Sequence, residues 1–121
     1  MRKTIDFVFS AILVILGAVH IVMTPVFYKV FNLNSLWFAG TGLSFLFLGL
    51  MNFIRIQTHE TFNHQVCAAG NTAALIYCVL IVIKMTEPQA FISLLDLATL
   101  WIFSLMDLKQ VNNEHSADSN R

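Results

Sequence analysis

Apolar residues in this chain neither alternate with polar ones nor recur as a single stripe per helix. They fill four nearly continuous blocks, Ile5 to Met23, Leu36 to Ile54, Val66 to Ile83 and Ala90 to Met106. Each block approaches the ~20 residues that cross the ~30 Å hydrocarbon core of a bilayer at about 1.5 Å per residue. Helices this apolar on every side have no polar faces with which to cover one another in water. The pattern predicts an all-α fold, an integral membrane antiparallel four-helix bundle over residues 1–108, with helices at about 5–23, 36–54, 66–83 and 90–108. The segment 109–121 is polar and without periodicity, and its composition predicts a disordered tail.

The links between blocks are short, which favours antiparallel neighbours and places both termini on one side. Asn34 or Ser35 is positioned to cap the second helix, and Thr86 with Gln89 forms a capping-box pattern around Pro88. The link from Thr24 to Asn34, with Pro25, Phe27, Tyr28 and Phe31, is apolar enough to lie in the membrane interface or dip inward. Arg2, Lys3, Arg55 and Lys109 fall on the side of the termini, against Lys29 and Lys84 on the other, so the positive-inside rule predicts cytoplasmic termini. Arg2 and Lys3 before an apolar run have the outline of a signal peptide. That run, however, carries Asp6 and His20, lacks a small-x-small cleavage site and has the length of a full span.

Composition agrees with the pattern: 57% of the 121 residues are hydrophobic and 12% charged, more apolar surface than a soluble domain of this size can hide. Seven basic and seven acidic residues cancel, which leaves no electrostatic footprint for nucleic acid. Cys67 and Cys78 lie on one predicted helix, about 16 Å apart at its rise, too far to pair with each other.

Polar residues inside a membrane need partners, so their phase and depth carry most of the remaining information. Asp6, Ser10, Leu13, Gly17, His20 and Thr24 recur at spacings of four and three, which holds them on one face of the first helix. Gly42, Phe45, Gly49 and Asn52 do the same on the second, Cys67, Asn71, Ala74 and Cys78 on the third, and Ser93, Asp96, Leu100, Phe103 and Asp107 on the fourth. Small residues on such faces let backbones approach, and polar ones bond across the bundle.

Counting the helical rise places His20 and Asp96 at nearly the same depth in the outer half, with Thr41 and Tyr77 near them. Asn52 and Asn71 form a second, structural polar layer in the inner half, near Asp6 and Asp107 at the boundary. Two readings follow. Either His20 and Asp96 form a hydrogen-bonded pair in a ligand-binding pocket with Thr41 and Tyr77, an arrangement found in proton relays and ligand sites, or the pair locks two helices together.

Other signals are weaker. In His59-Glu60-Thr61-Phe62-Asn63-His64 the histidines are five residues apart, which turns the second off the face of the first and argues against a zinc site. His20 is the sole intramembrane histidine, so one chain cannot supply a bis-histidine haem site, though a homodimer could. Trp37 and Tyr28 are placed as interfacial anchors, and Trp101, deeper in its span, packs against lipid or a neighbouring helix. No catalytic residue and no metal-ligand set is assigned.

The chain resembles the broad group of DoxX-like four-helix membrane proteins, in its architecture, in Gly17-Ala18-Val19-His20 closing the first span and in Trp37-Phe38-Ala39-Gly40-Thr41-Gly42 opening the second. The resemblance implies a bacterial inner-membrane protein, and for some members of that group a link to quinone-dependent or oxidative-stress chemistry. It transfers no catalytic residue. The expectations are thus a non-enzymatic membrane protein, acting as a partner subunit or as a binder of a small apolar ligand, or a redox-linked subunit handling quinone. A small transporter working as a dimer is a third.

Overall fold

The computed structural model describes residues 2–84 and 87–119. Four helices follow one another, α1 (Arg2–Phe27), α2 (Leu33–Gln57), α3 (Thr61–Lys84) and α4 (Pro88–Ser119). All four are long and apolar enough to cross a membrane. They enclose the four blocks of the hydrophobic pattern and extend them by a turn or less at most ends.

The ends show which local signals prevail. At the start of α2 the cap is Asn32, two residues before the expected Asn34, because a reciprocal box closes there. The Ser35 amide donates to Asn32 Oδ1 at 3.0 Å, and the Asn32 amide donates to Ser35 Oγ at 2.9 Å. Ser35 therefore serves at the third helical position and not as the cap. Part of the expected 24–34 link is helical, since α1 runs on through Pro25 to Phe27. Proline removes one amide donor, and the helix stops two residues later. α4 begins at Pro88, where a missing amide leaves nothing unsatisfied; Thr86 lies outside the described residues.

α4 also continues to Ser119, where the polar composition predicts disorder. A helix already nucleated in the membrane propagates at little cost. Val111 gives the extension a buried apolar contact, and Gln110 donates to Glu114 at 2.9 Å along its surface.

The bundle is apolar outside and polar inside. Phe7, Ile15, Val22, Phe47, Ile76 and Leu95 are among the large side chains turned outward, whereas Ser10, Asn52, Arg55, Asn71, Asp96 and Ser104 are buried. Water would not tolerate so extensive an apolar exterior, and lipid requires it. The chain is a small multi-pass membrane protein. The stripes predicted from helical phase face inward: Asp6, Ser10, Leu13 and Gly17 on α1, Gly42, Phe45, Gly49 and Asn52 on α2, and Cys67, Asn71 and Cys78 on α3 are buried.

Packing is uneven around the bundle. α1 and α2 pack most extensively, α3 and α4 less so, and α2 meets α3 only sparsely. Glycines make the first contact close: a Cβ at Gly17 would stand 2.5 Å from the Gly42 carbonyl oxygen, and one at Gly49 would stand 2.6 Å from Val14 Cγ2. Leu13, Phe45, Leu48, Cys78, Leu97 and Leu100 form the central apolar cluster.

Candidate functional site

Two groups of polar side chains occupy the seam. At the end of the bundle that carries the termini, Arg55 of α2 is wholly buried. Its Nη2 donates to Asp6 Oδ1 of α1 at 2.6 Å, and its Nη1 donates to Asp107 Oδ2 of α4. Its Nε and Nη2 also reach Asn52 Oδ1, at 3.3 and 3.2 Å. Arg2 completes the charge balance by donating to the other Asp107 oxygen at 2.6 Å. Two guanidiniums thus face two carboxylates, and the forked donors of Arg55 match both of its acids at once.

The structural layer of Asn52 and Asn71 adjoins this network. The two amides bond reciprocally: Asn52 Nδ2 donates to Asn71 Oδ1 at 3.0 Å, and Asn71 Nδ2 donates to Asn52 Oδ1 at 3.1 Å. The Cys67 thiol donates to Asn52 Oδ1 at 3.3 Å, and Asn71 Nδ2 reaches the Leu100 carbonyl at 3.3 Å. One connected set of hydrogen bonds therefore ties all four helices. His64, nearby and buried, bonds the Thr58 carbonyl through Nε2 at 3.0 Å, while its Nδ1 has no partner among the described residues.

Arg55 escaped the sequence pattern because the second apolar block ends at Ile54, which assigns the arginine to the loop and to the count of cytoplasmic charges. A signal was present. The stripe Gly42, Phe45, Gly49, Asn52 extended by three residues lands on Arg55.

The four residues expected in an outer-half ligand pocket are not brought together as one site. His20 donates through Nδ1 to the Leu16 carbonyl of its own helix at 2.8 Å, and its ring stacks on Phe38 with centroids 4.7 Å apart. Asp96 is 2% exposed, and neither carboxylate oxygen has a hydrogen-bond partner among the described residues. The expected His20–Asp96 bond is therefore not formed. The Leu16 carbonyl one turn earlier lies within reach of His20 and accepts the Nδ1–H hydrogen bond instead.

Thr41 and Tyr77 do share a space, a groove of about 480 Å³ between α2 and α3, lined as well by Trp37, Ser44, Phe47 and Met51. Its hydroxyls at Thr41 and Ser44 donate to the Trp37 and Gly40 carbonyls at 3.0 and 2.9 Å, so their remaining capacity is as acceptors. Trp37 and Tyr77 supply N–H and O–H groups that make no hydrogen bond to the described residues. Trp101, by contrast, packs on a neighbouring helix and donates to Thr72 Oγ1 of α3 at 2.9 Å.

Among the described residues, no three histidine, cysteine, aspartate or glutamate side chains converge to hold a metal ion. Cys67 and Cys78 are free and buried. No family model, curated protein or solved structure matches the chain.

Proposed function

We propose that this membrane protein binds a small amphipathic ligand that enters the α2–α3 groove sideways from the bilayer. One observation carries the reading: a groove of about 480 Å³ opens where α2 meets α3 only sparsely, within the ~300–1,000 Å³ usual for small-molecule sites. Its walls are apolar and aromatic. The available donors of Trp37 and Tyr77 suit a carbonyl or ether oxygen on the ligand head, with an acyl or isoprenoid body along Phe47 and Met51. A quinone is one molecule of that description. We further propose, on the resemblance to DoxX-like proteins, a bacterial inner-membrane location. Arg2, Lys3 and Lys109 against Lys29 and Lys84 support cytoplasmic termini, with the buried Arg55 withdrawn from the count.

Gly40→Leu tests the groove cleanly. Gly40 lines the groove and a Cβ there meets nothing within 4 Å, so the branch point of a larger side chain is placed without a clash. Leucine also favours the helix over glycine by up to about 1 kcal/mol. Native mass spectrometry of gently solubilised protein is expected to show a bound lipid-soluble molecule on the wild type and none on Gly40→Leu, at unchanged or higher thermal stability. Equal retention by both proteins would overturn the groove as the site.

A further inference from the structure

A smaller cavity, about 130 Å³, lies on the other side of the wall made by Thr41 and Phe45, and His20, Phe38, Ser93 and Glu87 also line it. The aromatic side is ordered. His20 stacks on Phe38 and meets Phe45 edge-on, with centroids 5.8 Å apart in the second pair. Glu87, exposed at the head of α4, is the one formal charge among the lining residues.

Ser93 is the lining residue farthest along α4, and Asp96 follows it by three residues on the same helical face. Asp96 is buried with both oxygens unpartnered, whereas Asp6 and Asp107 each face an arginine. An unmatched carboxylate in apolar surroundings is costly, and a positive charge brought in from outside relieves that cost. Aromatic faces attract the same kind of charge. Arg55, the one wholly buried cation among the described residues, is already committed to Asp6 and Asp107.

We infer that this cavity binds a small organic cation, a protonated or quaternary amine, whose alkyl shell rests on Phe38 and Phe45, with Glu87 of the lining and Asp96, buried one helical turn beyond Ser93 and outside the lining, as its counter-charges. Glu87 draws the cation to the entrance. The site does not depend on the groove reading, since Gly40 does not line it.

The test uses the full chain in detergent micelles and tetramethylammonium chloride, followed by isothermal titration calorimetry with sodium chloride at equal strength as the blank. Saturable binding is expected, weakened at least tenfold by Asp96→Asn and by a smaller factor by Glu87→Gln. Ser93→Leu, which narrows the cavity with Asp96 in place, should weaken it too. The uncharged analogue 2,2-dimethylpropan-1-ol, which has the same branched shape with one added hydroxyl for solubility, needs no variant and is expected to bind at least tenfold more weakly than the cation. Absence of saturation on the wild type, equal affinity for the alcohol, or full affinity in Asp96→Asn would each overturn the proposal. Gly40→Leu should bind the cation normally, so failure of the groove and failure of this site read out separately.

Discussion

The two ends of the polar seam handle buried charge in opposite ways. Near the termini, Arg55, Asp6, Asp107 and Arg2 neutralise one another at hydrogen-bonding distance, and the Asn52–Asn71 pair carries the network into α3. Farther into the bundle, Asp96 is equally hidden and has no partner, while His20 turns to its own backbone. The first arrangement looks inward and is complete. The second is open: a carboxyl group buried in a membrane without a partner is costly, and the proposed cation site rests on that cost.

The largest effect should come from breaking the complete end. Arg55→Met leaves Asp6 and Asp107 buried without their shared cation, and the expected loss is about 3–5 kcal/mol, the usual range for removing one partner of a buried pair. Unfolding of purified protein in mixed micelles would measure it. Adding Asp6→Asn to that variant should restore much of the loss, because the stranded charge is gone while Asp107 keeps Arg2. A loss below about 1 kcal/mol would mean that the network is hydrated and the contrast between the ends is false.

The glycine contact that holds α1 beside α2 comes next. Gly17→Ala places a methyl 2.5 Å from a backbone oxygen that cannot swing aside, so the helices must separate. The expected cost is about 1–3 kcal/mol, with disturbance of both polar groups. Gly40→Leu on the same pair of helices is the harmless counterpart.

Asp96→Leu sharpens the comparison by its sign. Replacing an unsatisfied buried carboxylate with an apolar group of similar size should stabilise the empty protein, by about 1–3 kcal/mol. The same substitution at Asp107 should destabilise it. If both lower stability alike, Asp96 has a partner in solution and the two ends are not different in kind. Smallest of all is Trp101→Phe, which removes the bond to Thr72 and should cost roughly 0.6 kcal/mol, the average for such bonds between membrane helices.

Helical phase made most of the bundle legible in the sequence. Residues on the predicted stripes point inward because side chains three and four apart share a face whatever the tertiary context. Depth was also informative, since counting residues from the helix ends pairs Asn52 with Asn71, and the two amides meet. Pairings that depend on side-chain direction were not legible. His20 and Asp96 can be level without bonding, because a histidine on a helix can satisfy Nδ1 on the preceding turn. Arg55 was hidden by the hydropathy boundary itself: a charged residue ends an apolar window even where its charge is matched inside the protein. The α4 extension was missed for a related reason, since polar composition measures the wish for water and not the absence of a helix.

The Arg55 network also bears on how the bundle is assembled. Chains emerge N-terminus first, so α2 arrives in the membrane with Asp6 available and Asp107 not yet made. Until α4 is in place, Arg55 has one carboxylate where it needs two and Arg2 has none. A chain that stops after Lys84 keeps the Arg55–Asp6 pair but lacks the Asp107 carboxylate to which both Arg55 and Arg2 donate, so this end of the seam is left unfinished. The last helix acts as a seal, since it alone brings the carboxylate that closes this end of the seam.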